Sequence, residues 1–495
     1  MEDTEPYSAA GDYPRWVLLD RTTGCEGPST PDARTLACCV NSAGRPVQAS
    51  FRLVAPPAVS TLHVHVDKVE EKYRTAVLAA HGDSVLIHMT PQSHPYQPPD
   101  LLVYNAGDGA ARPPSLSLLP PCGDTICHAK TGILRLGGGD GDGGFVVACL
   151  EITCRDNLAG SFEVIKTGLR MLRSGRCEWE LTGHLPVRRT DGQEMKLSSY
   201  WANTVIPVGD RFLYWIDQSR GIIFSDFMAE SPELWYVPLP IDTVLPDHDR
   251  CNRPRCKQCR DASRGVCVTH GGSVVKFVRV SPRCCSTCPR YPDAFTITTW
   301  TLRTNDMTWK EDGVVDCNEL SVLPRVPLDF PIISLDDPDV ICFMSRESWH
   351  HPCSHADKTT WFLTVDTRRK TVQWVRGYPA DEERPHRWNR ALIPSEVSNY
   401  FNSCRGSVGD IHNSASHEDL GVSMSKARDD KSEISSVVEE IPDMARDEML
   451  KAHKVLAGDD RRMRFLAALP VDMRKEYCML MTEVAASSAV RQLSP

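Results

Sequence analysis

The sequence predicts an all-β protein, a propeller-like array of about five to six four-stranded antiparallel units with a short α-helical C-terminal tail. The first observation is a repeat in which a turn containing Gly, Asp or Pro leads at once into a short apolar strand. Its copies stand at Gly82, Gly143, Gly209, Gly271 and Pro338, in steps of 61, 66, 62 and 67 residues. Such regular spacing indicates one repeated structural unit.

The second observation is a hairpin-like element that follows each copy of the repeat. In the last copy, residues 361–365 lead to residues 371–375 through Asp366, Thr367 and Arg368. Alternating apolar and polar residues of β-branched and aromatic type predict half-buried antiparallel strands, and the tips have the composition of turns. Each unit therefore holds about four strands, the content of a propeller blade, although familiar blades repeat every ~40–50 residues. A pair of β-sandwiches is the alternative, which the spacing disfavours.

The chain divides into four predicted regions. Residues 1–13 are polar and are predicted to be disordered, and residues 14–400 form the repeat domain, in which apolar segments between residues 16 and 54 supply a further unit or close the ring. Residues 401–435 are rich in Ser, Asp and Lys and predict a disordered linker. Residues 436–490 predict a helical tail whose apolar positions either pack on the same protein or dock a partner.

Composition limits the partners and the compartment. Lys and Arg total 56 and Asp and Glu total 65, which gives a net charge of −9 and no overall attraction to nucleic acid or to anionic membranes. We predict neither partner. The N-terminus lacks the pattern of a secretory signal, and no stretch approaches the ~18 apolar residues of a membrane span. A cytoplasmic or nuclear protein that is not secreted is expected, with many of its 20 cysteines serving as small buried hydrophobic residues.

One cysteine cluster has the spacing of a metal site. Cys256 and Cys259 form one Cys-x2-Cys pair, and Cys285 and Cys288 form a second pair, with 25 residues between the two pairs. Four thiolates in two such pairs are the ligand set of a tetrahedral structural zinc. The first pair lies in a Cys-rich segment, residues 246–268, that is predicted to be an insertion within the repeat and has little core of its own. Free thiols in a loop are the alternative. Four thiolates would leave no open position for catalysis.

The sequence contains no recognisable catalytic motif. The G-x-S-x-G, H-E-x-x-H and G-x-x-x-x-G-K-[ST] patterns do not occur, so no catalytic or cofactor-binding residue is predicted. The first hypothesis is a non-enzymatic scaffold that presents its β-repeat surface to a protein partner. The alternative is a hydrolase-like enzyme with its site at the propeller centre. Converging Asp, Glu, His or Arg side chains at the centre would favour the enzyme, and an apolar or aromatic patch would favour protein binding.

Several segments resemble a known family. These are residues 14–19 (Pro-Arg-Trp-Val-Leu-Leu), residues 102–107 (Leu-Val-Tyr-Asn-Ala-Gly) and residues 208–217 (Val-Gly-Asp-Arg-Phe-Leu-Tyr-Trp-Ile-Asp). Together they resemble plant proteins, abundant in cereals, that carry the domain of unknown function 1618. The resemblance covers residues 14–400 and places the namesake domain at about 215–345. It implies no established activity, cofactor or catalytic residue.

The family is in turn similar to F-box-associated β-repeat proteins, which implies a propeller-like interaction surface. No F-box-like helical segment precedes Trp16 in this sequence. A direct role as a ubiquitin-ligase adaptor through that motif is therefore not expected.

Overall fold

The computed structural model shows six β-sheets arranged as the blades of a β-propeller. It describes residues 12–23, 31–66, 72–93, 98–107, 112–122, 127–137, 144–156, 162–195, 197, 200, 202–241, 263–282, 295–320, 328–346, 360–378, 392–402, 451, 475 and 478. The predicted all-β propeller-like array is confirmed, with six blades of four or five strands.

The blades are numbered in chain order, and blade 1 is assembled from both ends of the domain. Its strands are β1 (Val17–Leu19), β2 (Ala37–Val40), β3 (Pro46–Arg52), β4 (Val59–Val66) and β26 (Ile393–Ser395). Blade 2 contains β5 (Tyr73–His81), β6 (Ser84–Pro91), β7 (Asp100–Asn105) and β8 (Ser115–Leu118). Blade 3 contains β9 (Thr131–Arg135), β10 (Phe145–Asp156), β11 (Phe162–Arg173) and β12 (Glu180–Leu181).

The other three blades follow the same plan. Blade 4 contains β13 (Val187–Arg189), β14 (Thr204–Val208), β15 (Phe212–Asp217), β16 (Gly221–Asp226) and β17 (Leu234–Pro238). Blade 5 contains β18 (Arg264–Thr269), β19 (Val274–Pro282), β20 (Phe295–Arg303) and β21 (Thr308–Asp316). Blade 6 contains β22 (Asp329–Ile333), β23 (Val340–Arg346), β24 (Thr360–Asp366) and β25 (Thr371–Tyr378). Short helical turns occupy His128–Lys130, Cys317–Glu319 and α1 (Val397–Tyr400).

The copies of the predicted repeat stand at corresponding places in the order of strands of blades 2 to 6. Each copy of the repeat begins in or beside the connection between the innermost strand and the second strand. Gly82 and Gly209 both have a φ of 55°, a left-handed conformation that glycine adopts without steric cost. In blades 2, 4, 5 and 6, where this connection is described throughout, the repeat therefore reflects a turn between the first two strands.

The hydrophobic core is divided into layers between blades. In β15, Leu213 and Trp215 pack against blade 3, whereas Tyr214 and Ile216 pack against blade 5. Successive side chains of a strand point to opposite faces of its sheet, so a strand whose sheet is packed between two neighbouring blades is buried on both sides. This explains why its sequence is a continuous apolar run rather than an alternating one.

Blade 1 closes the ring by joining the two ends of the domain. Strand β26 pairs antiparallel with β1, with Leu19 opposite Ile393, and β1 continues parallel to β4. Nearby, the backbone N–H of Tyr13 donates to Asn402 Oδ1 over 2.7 Å, and Asn402 Nδ2 donates to the carbonyl oxygen of Tyr13 over 2.8 Å. Tyr13 and Phe401 are buried. Tyr13, predicted to lie in the disordered N-terminal segment, and Phe401 and Asn402, predicted to lie in the linker, are therefore packed against the ring.

The outer edges of the blades are tied together by tryptophans. Trp179 Nε1 of blade 3 donates to the carbonyl oxygen of Pro120 over 2.9 Å, just beyond the outermost strand of blade 2. Trp309 Nε1 of blade 5 makes the equivalent 2.8 Å contact with Pro238 of blade 4. Each indole satisfies its only donor on the preceding blade, so these contacts fix the angle between neighbouring sheets.

Two further sequence expectations concern regions at the margin of the described structure. The predicted Cys-rich insertion, residues 246–268, overlaps β18, whose residues form the buried innermost strand of blade 5. In the predicted helical tail, Lys451, Lys475 and Cys478 are described and are helical. Within the described part of the chain, no helix is long and apolar enough to cross a membrane.

Candidate functional site at the ring centre

The innermost strands of the blades surround a central cavity of ≈ 120 Å³. Strands β5, β14, β18, β22 and β26 supply most of its wall. The strands approach closely in places, since a Cβ at Gly265 of β18 would lie only 2.3 Å from the carbonyl oxygen of Pro331 in β22. The cavity is several times larger than the about 10–15 Å³ that one ordered water needs, so it can admit a slender chemical group.

The residues that line the cavity extend toward two different faces of the ring. We call the face that carries the turns at Gly82, Gly209 and Gly271 the turn face. There, neighbouring turns contact each other: the N–H of Gly209 donates to Gly272 over 2.8 Å, and the N–H of His270 donates to Leu335 over 3.1 Å. We call the opposite face, where successive blades are connected, the loop face.

The middle of the cavity is apolar. Val205, Val266, Ile332 and Ile393 line it from four different blades and are buried. Cys267 also lines the cavity, and burial raises the pKa of its thiol to about 11. The thiol is therefore protonated at neutral pH and does not act as a nucleophile there.

Basic side chains line the cavity at the loop face. Arg264, only 7% exposed, donates from Nη1 to the carbonyl oxygen of Gln218 over 3.0 Å. Arg21 donates from Nη1 to the carbonyl oxygen of Leu78 over 2.8 Å. These contacts hold both guanidinium groups against the ring backbone, where they fix the positions of neighbouring strands.

At the turn face the cavity is lined by a histidine and a carboxylate. His81 ends β5, and its Nδ1 accepts a 2.8 Å hydrogen bond from the backbone N–H of Arg135. Burial, followed by the positive charge of Arg135, lowers the pKa of His81 to about 4. Glu396 follows β26, and burial together with the nearby charge of Asp336 raises its pKa.

The contact to His81 decides which chemistry the imidazole can perform. A neutral imidazole whose Nδ1 accepts a hydrogen bond carries its proton on Nε2. At neutral pH, Nε2 of His81 can therefore donate a hydrogen bond but cannot remove a proton from a substrate. The geometry supports ligand binding at this end of the cavity better than general base catalysis.

The four predicted zinc ligands, Cys256, Cys259, Cys285 and Cys288, lie outside the described residues. The described chain shows where their two segments join the ring. The first segment leads into Ser263, and the second follows Pro282; between them the N–H of Val280 donates to the carbonyl oxygen of Ser263 over 2.8 Å. Both segments thus join blade 5 at neighbouring strand ends. The zinc site stays a prediction.

Elemental analysis tests the zinc site. We expect about one zinc per chain in protein purified without chelators, and a clear loss in the double variant Cys256→Ser, Cys285→Ser, because each substitution removes one thiolate from a four-thiolate set. The matched control replaces Cys38 and Cys177, both exposed elsewhere on the ring, and should retain the metal. Wild-type protein essentially free of zinc would rule the site out.

The sequence did not single out the residues that line the two ends of the cavity. His81 stands immediately before the turn glycine of the first repeat copy, as Val208 and His270 do in later copies. Aligning the copies identifies these positions as the ends of innermost strands. Glu396 and Arg21 carry no comparable signal, because only ring closure brings them to the centre.

Comparison with solved structures finds matches at low similarity only. The chain is similar to the WD40 domain of SCAP from fission yeast, with 9% identity, a TM-score of 0.25, and coverage of 70% of this chain and 77% of that one. It is also similar to the tricorn protease, with 9% identity, a TM-score of 0.24, and coverage of 90% and 44%. An α-L-arabinofuranosidase from Fusarium graminearum matches with 9% identity, a TM-score of 0.17, and coverage of 73% and 70%. Such low scores carry no functional information.

The sequence comparisons are more specific in one segment. No curated protein matches the chain. A family model does match it, over residues 215–342, which run from β15 of blade 4 through blade 5 to the inner strands of blade 6. The predicted namesake segment was about 215–345. The match supports the resemblance to the family described as protein of unknown function, DUF1618.

Proposed function

We propose that the protein is a non-enzymatic interaction scaffold, a rigid six-bladed ring that presents its surface to a protein partner. The observation that carries the proposal is the chemistry of the ring centre. Its middle is apolar. At its turn-face end, Nδ1 of His81 accepts a hydrogen bond from the backbone N–H of Arg135, so the imidazole carries its proton on Nε2 and acts as a donor. A preformed concave surface of this kind favours binding over proton transfer.

The alternative, a hydrolase-like enzyme with its site at the centre, draws its support from the Arg, His and Glu side chains that line the two ends of the cavity, above all from Glu396. Its raised pKa is a property of catalytic acids. A general acid for hydrolysis also needs a base or nucleophile within reach, and His81 cannot serve as that base in its observed hydrogen-bonded form. The balance therefore favours the scaffold. A plant origin, a likeness to F-box-associated proteins, a cytoplasmic or nuclear location and the absence of nucleic-acid or membrane binding stay predictions.

Reconstitution of a complex tests the proposal. We expect tagged full-length protein to capture a reproducible partner from an extract of its source, and the purified partner to form a complex of fixed stoichiometry with it. Two charge variants in blade 4 then identify the face used: Arg220→Glu on the loop face and Met228→Glu on the turn face, where Met228 is 55% exposed. A partner bound on one face should be lost with one variant and retained with the other.

An activity screen tests the enzymatic alternative. Ester, phosphate and glycoside substrates should show no turnover above the background of the Glu396→Gln variant. Turnover that disappears in this variant, together with failure to reconstitute any complex, would contradict the scaffold and support the enzyme.

A further inference from the structure

Three groups at the turn-face end of the cavity have hydrogen-bonding capacity that the described structure leaves unused. Glu396 directly follows β26 on the cavity wall, and its carboxylate has neither an ion pair nor a side-chain hydrogen bond among the described residues. His81, which lines the cavity, uses Nδ1 for the N–H of Arg135, which leaves Nε2–H as a further donor. The Tyr400 hydroxyl lies beside Gly82, 3.2 Å from where a Cβ of that residue would stand.

These groups lie close enough to influence one another. Burial and the charges of Asp83 and Glu396 raise the pKa of Tyr400. The charge of Asp336 contributes to the raised pKa of Glu396. The turn face thus brings together carboxylates that come from blades 1, 2 and 6 and a phenol from α1.

Negative charge exceeds positive charge around this end of the cavity. Arg135 is already paired with Asp83 over 3.1 Å, and Arg211 is paired with Asp226 over 2.6 Å. Neither Glu396 nor the neighbouring Asp336 forms an ion pair within the described ranges. A half-buried carboxylate without a cation is unfavourable, so a bound cation would be stabilised there.

We propose that the turn-face end of the cavity binds an organic cation, a primary ammonium or guanidinium group, on the carboxylate of Glu396. The Tyr400 hydroxyl accepts a further hydrogen bond from the cation, and His81 Nε2 donates to an acceptor on the same ligand. Leu335 and Pro207, which line the cavity beside these groups, contact the alkyl stem. The overall charge of −9 attracts such ligands. The site goes beyond the proposed scaffold function, because it requires no protein partner.

Two kinds of ligand carry such a cationic group: a free amine and a peptide with a basic side chain. Isothermal titration of the full-length protein with agmatine and n-butylamine tests the first source. A short blocked peptide containing lysine, compared with the same peptide containing norleucine, tests the second. At least one of the three cationic ligands should bind, and the neutral n-butanol and norleucine peptide should not. Binding of the peptide alone would identify a basic side chain as the ligand, and binding of agmatine or n-butylamine would show that a free amine suffices.

The Glu396→Gln variant should weaken binding of the cation by about tenfold or more, because it removes the charge and keeps the size of the side chain. The substitution removes no helix cap, since the Glu396 side chain makes no capping hydrogen bond to α1. Glu311→Gln, an exposed carboxylate on the outer strand β21, changes the net charge equally and should bind like wild type.

Acidification provides a second readout. Cation binding should weaken as pH falls through the raised pKa of Glu396, since protonation removes the charge that attracts the ligand. His81 stays neutral well below neutral pH because its pKa is about 4. Equal affinities for wild type and Glu396→Gln, equal binding of the neutral analogues, or no binding of any cation would overturn the proposal. Each of these results leaves the scaffold function to be decided by reconstitution of a protein complex.

Discussion

Replacing Trp215 with alanine is expected to lower the free energy of unfolding by about 3–5 kcal/mol. The side chain is fully buried between blades 3 and 4, where its ring lies 6.4 Å from that of Phe227. Its Nε1 donates to the carbonyl oxygen of Lys130 over 2.8 Å. Alanine leaves a cavity in a layer that both blades share and removes this donor, so the cost combines lost packing with a lost hydrogen bond.

Urea unfolding followed by far-ultraviolet circular dichroism measures the effect. Trp309→Ala is the matched control, because that side chain is only partly buried and makes one comparable hydrogen bond to Pro238. Its midpoint should fall by a smaller amount. Equal shifts for the two variants would contradict the assignment of the core to the layers between blades.

Replacing Leu18 with alanine is expected to cost about 2–5 kcal/mol, a large effect for a strand of only three residues. Leu18 is fully buried and packs with Phe362 and Met344 of blade 6, whereas Val17 and Leu19 on either side pack toward blade 2. The strand therefore joins the last blade to the first, and its loss weakens ring closure as well as the local core.

Leu181→Ala is the matched control for this prediction. Leu181 is 63% exposed on the outer strand of blade 3, so the same substitution there should change stability by no more than about 0.5 kcal/mol. In Leu18→Ala, limited proteolysis should also cut near residue 392 faster than in wild type, because β26 depends on β1 for its antiparallel partner. Unchanged protection at this site would contradict the role of β1 in closure.

The predicted repeat succeeded because its cause is local. A turn between the first two strands of a blade needs glycine, aspartate or proline, and that requirement recurs in blades 2, 4, 5 and 6, where this connection is described. Blade 1 has no copy of the signal. Its innermost strand comes from the C-terminal end of the domain and its next strand from the N-terminal end, so no local pattern contains both. The sequence indicated a closing element near residue 16 but not its partner at residues 393–395.

The candidate site was less accessible to sequence reasoning. Cys256, Cys259, Cys285 and Cys288 were recognisable because metal ligation imposes spacing on the chain, and zinc binding there stays a prediction. Glu396 and Arg21 were not recognisable, because each is one ordinary charged residue until the ring forms. His81 was visible only as the residue before a repeat turn.

By itself, the sequence determined the β-class of this protein, the number of repeated units to within one and the absence of familiar catalytic motifs. These follow from side-chain periodicity and turn composition, which act over a few residues. The tertiary structure decided how the ring closes, which apolar side chains share each layer, and which charges line the central cavity. These depend on contacts between segments distant in sequence, such as the antiparallel pairing of Leu19 with Ile393, which brings Arg21 and Glu396 to opposite ends of one cavity.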